Sequence, residues 1–308
     1  MYRDLLVGST GFVGGNLRAK HTFAAVCHSS DIAAQYGTQP DLCVYAGVPA
    51  AMFLANADPE ADMEVMRTAR ENLRKIAPKS LVLISSIAVF ADSRGRCEDD
   101  APDTDGLLAY GRNRLQLEQW VREDFNDALI VRLPALYGAG LKKNFLFDLH
   151  TITPAMLKPE KYNELAAKSL LVKTGYTLAD NGFYKLNGTA DKTALKEFFA
   201  GNDFNALAFT DSRSHYQFYN LGRLWSDMEA ARAADVKLLH LCTPPVSAAE
   251  VYTAVTGKAD WTNELPKSPF DYDLRSRYAA VLGGSGDYLC TKEEELDDVT
   301  HFLREWRD

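Results

Sequence analysis

Cysteine is scarce and unpatterned in this sequence. Cys27, Cys43, Cys97, Cys242 and Cys290 are odd in number and widely scattered, with no C-x-x-C pair and no ligand spacing to histidine. That argues against a disulfide scaffold or a thiolate metal site, and no metal is expected; the thiols read as buried groups in a reducing cytosol. An excess of positive charge is also missing. The formal net charge of −8 repels a polyphosphate duplex, so nucleic acid is not an expected partner. Long apolar runs are lacking as well: the longest uncharged stretch, Leu42 to Ala57, contains Gly47 and Pro49 and falls short of the roughly 20 residues a spanning helix needs. The opening Met-Tyr-Arg-Asp-Leu-Leu-Val-Gly carries charge where a signal peptide requires apolar residues, so a cytoplasmic chain is expected, without export and without membrane contact. There is no internal repeat and no low-complexity segment. What remains is an average globular composition on a chain long enough to bury a sizeable core.

The first 140 residues alternate short apolar runs with helical periodicity, the pattern of a parallel sheet covered on both faces. Strands are expected at Leu5–Val7, Phe23–Cys27, Leu42–Tyr45, Leu81–Ser85 and Leu129–Arg132, and helices near Phe12–Ala19, Asp58–Ile76 and Leu107–Asp124. Gly37, Gln39 and Pro40 suggest a turn, not a full crossover helix, between the second and third strands. From residue 141 Lys, Asn, Gly and Pro mix with helical stretches such as Asp191–Phe199, where Asp191 suits an N-cap. A helix near Leu224–Ala233 and a strand Lys237–Leu241 resume the alternation. The fold class is thus α/β: a doubly wound, Rossmann-type parallel sheet with a smaller α+β substrate lobe. The division places a dinucleotide-binding domain at 1–140, resumed at about 211–246, and the substrate lobe at 141–210 and 247–308.

The segment Gly8-Ser9-Thr10-Gly11-Phe12-Val13-Gly14 follows an apolar strand and opens a helix. Gly8 permits the tight turn, Gly11 a close backbone approach to a pyrophosphate, and Gly14 helix-strand packing, so free amides face an anion. An ordinary strand-to-helix turn uses the same residues. Past the second strand, His28, Ser29 and Ser30 precede Asp31. The lack of acid at those three positions favours NADP over NAD, with Asp31 still able to serve a ribose.

Two further segments carry reaction chemistry. Ser85-Ser86 ends the fourth apolar strand, and Tyr110 and Arg114 stand four apart on one helix face. A phenol with a cation beside it can act as acid and base, and Ser86 can hold the reacting oxygen. The structural alternatives are serines that satisfy backbone and an Arg114 that pairs with Glu118 at i+4.

With these residues in this order, the sequence resembles the extended short-chain dehydrogenase/reductase family, in its NAD-dependent epimerase/dehydratase branch. The resemblance is carried by Gly8-x-x-Gly11-x-x-Gly14, Ala46-Gly47, Ser85-Ser86-x-x-Val89-Phe90, Tyr110-x-x-x-Arg114, Arg132-Leu133-Pro134-x-x-Tyr137-Gly138 and Gly283-Gly284-x-Gly286-x-Tyr288. Around Tyr110-Gly111 the chain is similar to dTDP-4-dehydrorhamnose reductases. The resemblance implies an oxidoreductase, epimerase or dehydratase acting on a nucleotide-activated sugar or related polyol. Ser86, Tyr110 and Arg114 take the catalytic positions, and Ala46, Gly47, Leu133 and Pro134 join the cofactor site, Pro134 near the nicotinamide. It also implies a homodimer through the helices at Asp58–Ile76 and Leu107–Asp124. The departure is Arg114, where the family has lysine: a guanidinium keeps the charge and can fork onto ribose hydroxyls but releases no proton. A catalytically weak or inactive NAD(P)-binding sensor or scaffold is the alternative.

Substrate contacts are expected from Lys143 and Asn144, just beyond the Tyr137-Gly138 turn, and from Gln217 and Tyr219 on one face of an aromatic-rich strand. A solvated lysine pair and plain core packing are the respective alternatives. Arg275 and Arg277 are phosphate-ligand candidates, with surface ion pairing as the alternative.

Overall fold

Six short apolar runs become the strands of one all-parallel sheet. In the computed structural model, which describes residues 3–306, these are β1 (Asp4–Val7), β2 (Ala25–Cys27), β3 (Leu42–Tyr45), β4 (Leu81–Ser86), β5 (Ala128–Leu133) and the strand Leu238–His240. Across the sheet the order is Leu238–His240, β5, β4, β3, β1, β2. The residues at the extreme ends that the sequence reading included, Met1, Tyr2, Arg307 and Asp308, lie outside the described residues.

Side chains alternate across the pleat, and both faces are dry. Leu6, Val44, Val82, Val131 and Leu239 pack on one side with Leu17 of helix α1 (Phe12–Lys20) and with Leu224 and Met228 of the helix Leu224–Ala233. Leu5, Val7, Cys43, Leu83 and Ile130 pack on the other with α3 (Pro59–Ile76) and α4 (Ala109–Asp124). This double burial is why the strands read as continuous apolar runs. A further short helix, α2 (Met52–Ala57), precedes α3. It stops because Pro59 disfavours helical geometry at Asp58, whose carboxylate instead caps α3 by accepting from the Ala61 amide. Acids in the first turn of α3 and Arg74 and Lys75 in its last complement the helix dipole. Between β2 and β3 there is only the single 3-10 turn Ile32–Gln35, the trimmed connection that Gly37 and Pro40 suggest.

The chain divides into two compact units, residues 1–141, 215–246 and 271–299, and residues 142–214, 247–270 and 300–308. The tail expected wholly in the substrate lobe is therefore split. Leu289 joins the core of the first unit, and Leu274 is tied there by two hydrogen bonds to Gln217. The second unit is α+β. A three-stranded antiparallel sheet of Met156–Leu157, Tyr184–Leu186 and Tyr176–Leu178 shares a core with Leu165, Val172, Leu195 and Phe199. Its helix Lys192–Ala200 is capped by Asp191 as expected. Among the described residues no helix is long and apolar enough to cross a membrane.

Candidate active site

The sheet order places β1 beside β3, with β2 on the outer side of β1, so the chain reverses direction across the sheet at the carboxyl ends of β1 and β3. Crevices at such reversals are where open α/β sheets bind ligands. Gly8 turns there with φ of +87°, and a Cβ on it would lie 2.4 Å from the Ala46 carbonyl oxygen. A Cβ on Gly14 would lie 2.2 Å from the Gly8 carbonyl oxygen. Glycine is thus required where the helix meets the turn. The Gly8 and Ser9 amides donate to the Cys27 carbonyl, holding β2 against the turn.

Helix α1 begins at Phe12, so the Phe12, Val13 and Gly14 amides have no partner within the helix, and its first turn contains no acid. The site therefore fits a diphosphate: orphan amides, a positive dipole end and no competing carboxylate. Thr10 and Gly11 are exposed beside them. At the end of β2, Ser29 and Ser30 are exposed, and the Asp31 carboxylate is engaged by His28, accepting from its amide at 2.7 Å and lying 3.2 Å from its Nδ1. Gly47 packs on Val7, and Leu133, followed by Pro134, pairs in register with Ser86.

Ser86 ends β4 and its hydroxyl accepts from the Ala88 amide at 3.2 Å. Helix α4 is pressed onto that turn, since a Cβ on Gly111 would sit 1.8 Å from the Ala88 carbonyl oxygen. The neighbouring Tyr110 is thereby fixed in the first turn of α4, with its amide donating to Asn56 Oδ1 of α2 at 2.9 Å. One turn on, Arg114 is buried with its guanidinium carbon 3.5 Å from the Tyr110 ring centroid. The shared face expected of these two side chains is thus a direct cation-π stack.

The proposed i+4 partner of Arg114 is taken elsewhere. Glu118 is fully buried in a bidentate pair with Arg132, with Nε to Oε1 at 3.0 Å and Nη2 to Oε2 at 2.6 Å. Ser85 donates to Glu118 Oε1 at 2.6 Å, and Arg132 Nη1 lies 3.1 Å from His240 Nε2. His240 Nδ1 in turn faces the Arg275 carbonyl at 3.0 Å. Burial first, and the Arg132 charge second, push the His240 pKa down to about 3, so the ring is neutral and accepts from Arg132. Sequence reading missed this chain of contacts. Its signal is an arginine in the otherwise apolar β5 and a histidine in Leu238–Leu241, two polar groups that burial obliges to find partners.

Several expected substrate contacts are structural. Gln217 is buried, donating to the Thr243 and Leu274 carbonyls and accepting from the Leu274 amide. Its amide brackets backbone and is not offered to a ligand. Tyr219 is buried and donates to Asp227. It borders a cavity of about 340 Å³ with Tyr137, Arg223 and Asp298. Asn144 caps the helix Phe145–Thr151 in the second unit, and Lys143 beside it is exposed. Arg275 faces Asp273 and Asp287, and Arg277 pairs with Asp99. Among the described residues no cluster of three or more His, Cys, Asp or Glu is placed to hold a metal ion.

Residues 4–156 match the RmlD substrate binding domain family. Solved structures share the fold over nearly the whole chain. dTDP-4-dehydrorhamnose reductase from Yersinia enterocolitica is 13% identical with a TM-score of 0.63, covering 99% of both chains. The Bacillus anthracis enzyme of the same name, solved with NADP, is 14% identical with a TM-score of 0.62 and full coverage of both chains. UDP-glucose 4-epimerase from Thermotoga maritima, solved with UDP-glucose, is 12% identical with a TM-score of 0.61, covering 98% of this chain and 99% of that one. No curated protein matches the sequence.

Proposed function

Over residues 4–156 the chain belongs to the RmlD substrate binding domain family, and from that premise we propose that it is an NADP-dependent oxidoreductase acting on a nucleotide-activated sugar or related polyol. The observation that carries this reading is the pairing of two devices in one unit. The Gly8–Gly14 turn suits a pyrophosphate, and Gly111 docks Tyr110 onto the turn that follows Ser86. The preference for NADP rests on the exposed Ser29 and Ser30, which put no acid at the first positions after β2.

The Phe12, Val13 and Gly14 amides would hold the pyrophosphate, and Leu133 and Pro134 would border the nicotinamide. A nicotinamide held there supplies hydride to a sugar carbon or takes it away. The chain's own residues handle the proton: Tyr110 gives it to the sugar oxygen on reduction and removes it on oxidation, while Ser86 holds that oxygen by a hydrogen bond. Reduction starts from reduced cofactor, and epimerisation and dehydration from oxidised cofactor; the same Tyr110 and Ser86 serve all three.

The test is calorimetric titration with NADP and NAD, followed by dTDP- and UDP-sugars added with oxidised or reduced cofactor while absorbance is followed. Tyr110→Phe is expected to keep nucleotide affinity and lose turnover by about 10²-fold or more; unchanged turnover overturns the mechanism. A second reading, a nucleotide-binding sensor without turnover, is favoured by one observation. Arg114 stands where the family has lysine and has no proton to relay, and its forked end is taken by Asp62, with Nη1 to Oδ2 at 2.8 Å. Tight NADP binding with no reaction across the panel would select it.

A further inference from the structure

A guanidinium has five N–H donors, and in Arg114 those on both terminal nitrogens are engaged. Nη1 donates to Asp62 Oδ2 at 2.8 Å and to the Tyr110 carbonyl at 2.9 Å. Nη2 donates to the Pro49 carbonyl at 2.7 Å and to Asp62 Oδ1 at 3.2 Å. Asp62 is itself fixed, accepting from Asn113 at 2.9 Å and standing in the first turn of α3, where the helix dipole favours a carboxylate. Both side chains of the pair are nearly buried, 5% exposed for Arg114 and 9% for Asp62. Gripping a ribose diol with the forked end of Arg114 would leave the Asp62 carboxylate buried without its partner. The guanidinium meanwhile lies against the Tyr110 ring.

We propose that Asp62 is a positioning residue for the reaction. It holds Arg114 against the Tyr110 ring, and Arg114 works through that stack and does not bind the cofactor's ribose. This rests on the oxidoreductase reading and corrects one part of what the resemblance implies for Arg114. The arrangement draws on three separate segments: the loop at Pro49, the start of α3 and the first turns of α4. Asp62 thus belongs to the reaction centre although it lies 52 residues before Arg114 and touches no reacting atom.

The test separates nucleotide affinity from turnover in Asp62→Asn, Arg114→Met and Arg114→Lys, with wild-type protein alongside. Asp62→Asn keeps shape and removes charge, so it remains informative if Arg114→Met fails to fold. Calorimetry with NADP and NADPH should give dissociation constants within about threefold of wild type for each folded variant. With a sugar turned over by the wild type, kcat should fall about tenfold or more while the KM for NADPH is unchanged, and an Asp62→Asn/Arg114→Lys double variant should lose no more than either single change. Loss of NADP affinity by about tenfold or more in Arg114→Lys or Arg114→Met would assign Arg114 to the ribose and overturn the proposal. So would wild-type kcat in Asp62→Asn. Either result leaves the oxidoreductase reading standing, whereas a wild-type protein that binds neither NADP nor NAD overturns both.

Discussion

Gly111 lies so close to Ala88 that a Cβ there would come within 1.8 Å of the Ala88 carbonyl oxygen. The contact is backbone against backbone, so no side chain can swing aside to relieve it. Gly111→Ala is expected to push the first turn of α4 off the turn after Ser86, costing about 1–3 kcal/mol in stability by overpacking. Turnover should fall more steeply than NADP affinity, because the shift is at Tyr110 and not at the glycine turn. Urea melts and parallel NADP titrations check this; wild-type turnover in a folded variant would show that the docking does not matter.

Gly14 is a complementary probe. Its Cβ would approach the Gly8 carbonyl oxygen to 2.2 Å, so Gly14→Ala should open the helix-turn contact and abolish measurable NADP binding. Retention of wild-type affinity would argue against a pyrophosphate seated at this turn.

The buried Glu118–Arg132 pair predicts an asymmetric response. Glu118→Gln leaves the Arg132 charge without its carboxylate in a dry interior and should cost about 3–5 kcal/mol, whereas replacing both residues with apolar ones of similar volume should cost less, the remainder coming from His240 Nε2 and the Ser85 hydroxyl left without their partners. Chemical denaturation of the single and double variants measures the difference. Equal losses in the two would mean that the pair is better solvated than its burial indicates.

His240 makes stability sensitive to acid. Burial depresses its folded pKa to about 3 from the ordinary 6.5 of a free imidazole, so the unfolded chain binds a proton between those values that the folded chain refuses. The contribution is full above pH about 6.5 and is lost as pH falls toward 3, at up to about 1.4 kcal/mol per pH unit. His240→Gln can still accept from Arg132 and donate to the Arg275 carbonyl without titrating. Its stability should therefore decline less steeply than that of the wild type across that window, as read by urea unfolding at several pH values. Parallel curves would remove His240 as the source.

What the sequence made legible was local. The glycines at 8, 11 and 14, the strand before them and the helix after them are contiguous, and their joint meaning is set by backbone geometry alone. Tyr110 and Arg114 were readable for the same reason, because four residues on a helix fix a neighbour. The identity of Arg114's partner was not readable, since Asp62 comes from another helix and its competitor Glu118 is claimed by Arg132 on a strand. Gln217 shows the opposite failure. Alternation along 215–219 suggested a pocket-lining face, but Gln217 falls between the short strands His215–Tyr216 and Phe218–Asn220, and its amide is taken by backbone at Thr243 and at Leu274, which arrives from 57 residues away. The split of the C-terminal tail escaped notice because irregular segments such as 271–289 carry no periodicity to place them.

The outermost strand β2 has only three residues, and the chain leaves it through a single tight turn instead of a covering helix. An unprotected sheet margin is a template on which a stray polypeptide can add itself, and brevity is one defence natural proteins use against that. Here the margin offers too few backbone groups in a row to support such growth. The shortness of β2 therefore limits edgewise aggregation at a margin that the trimmed crossover leaves uncovered.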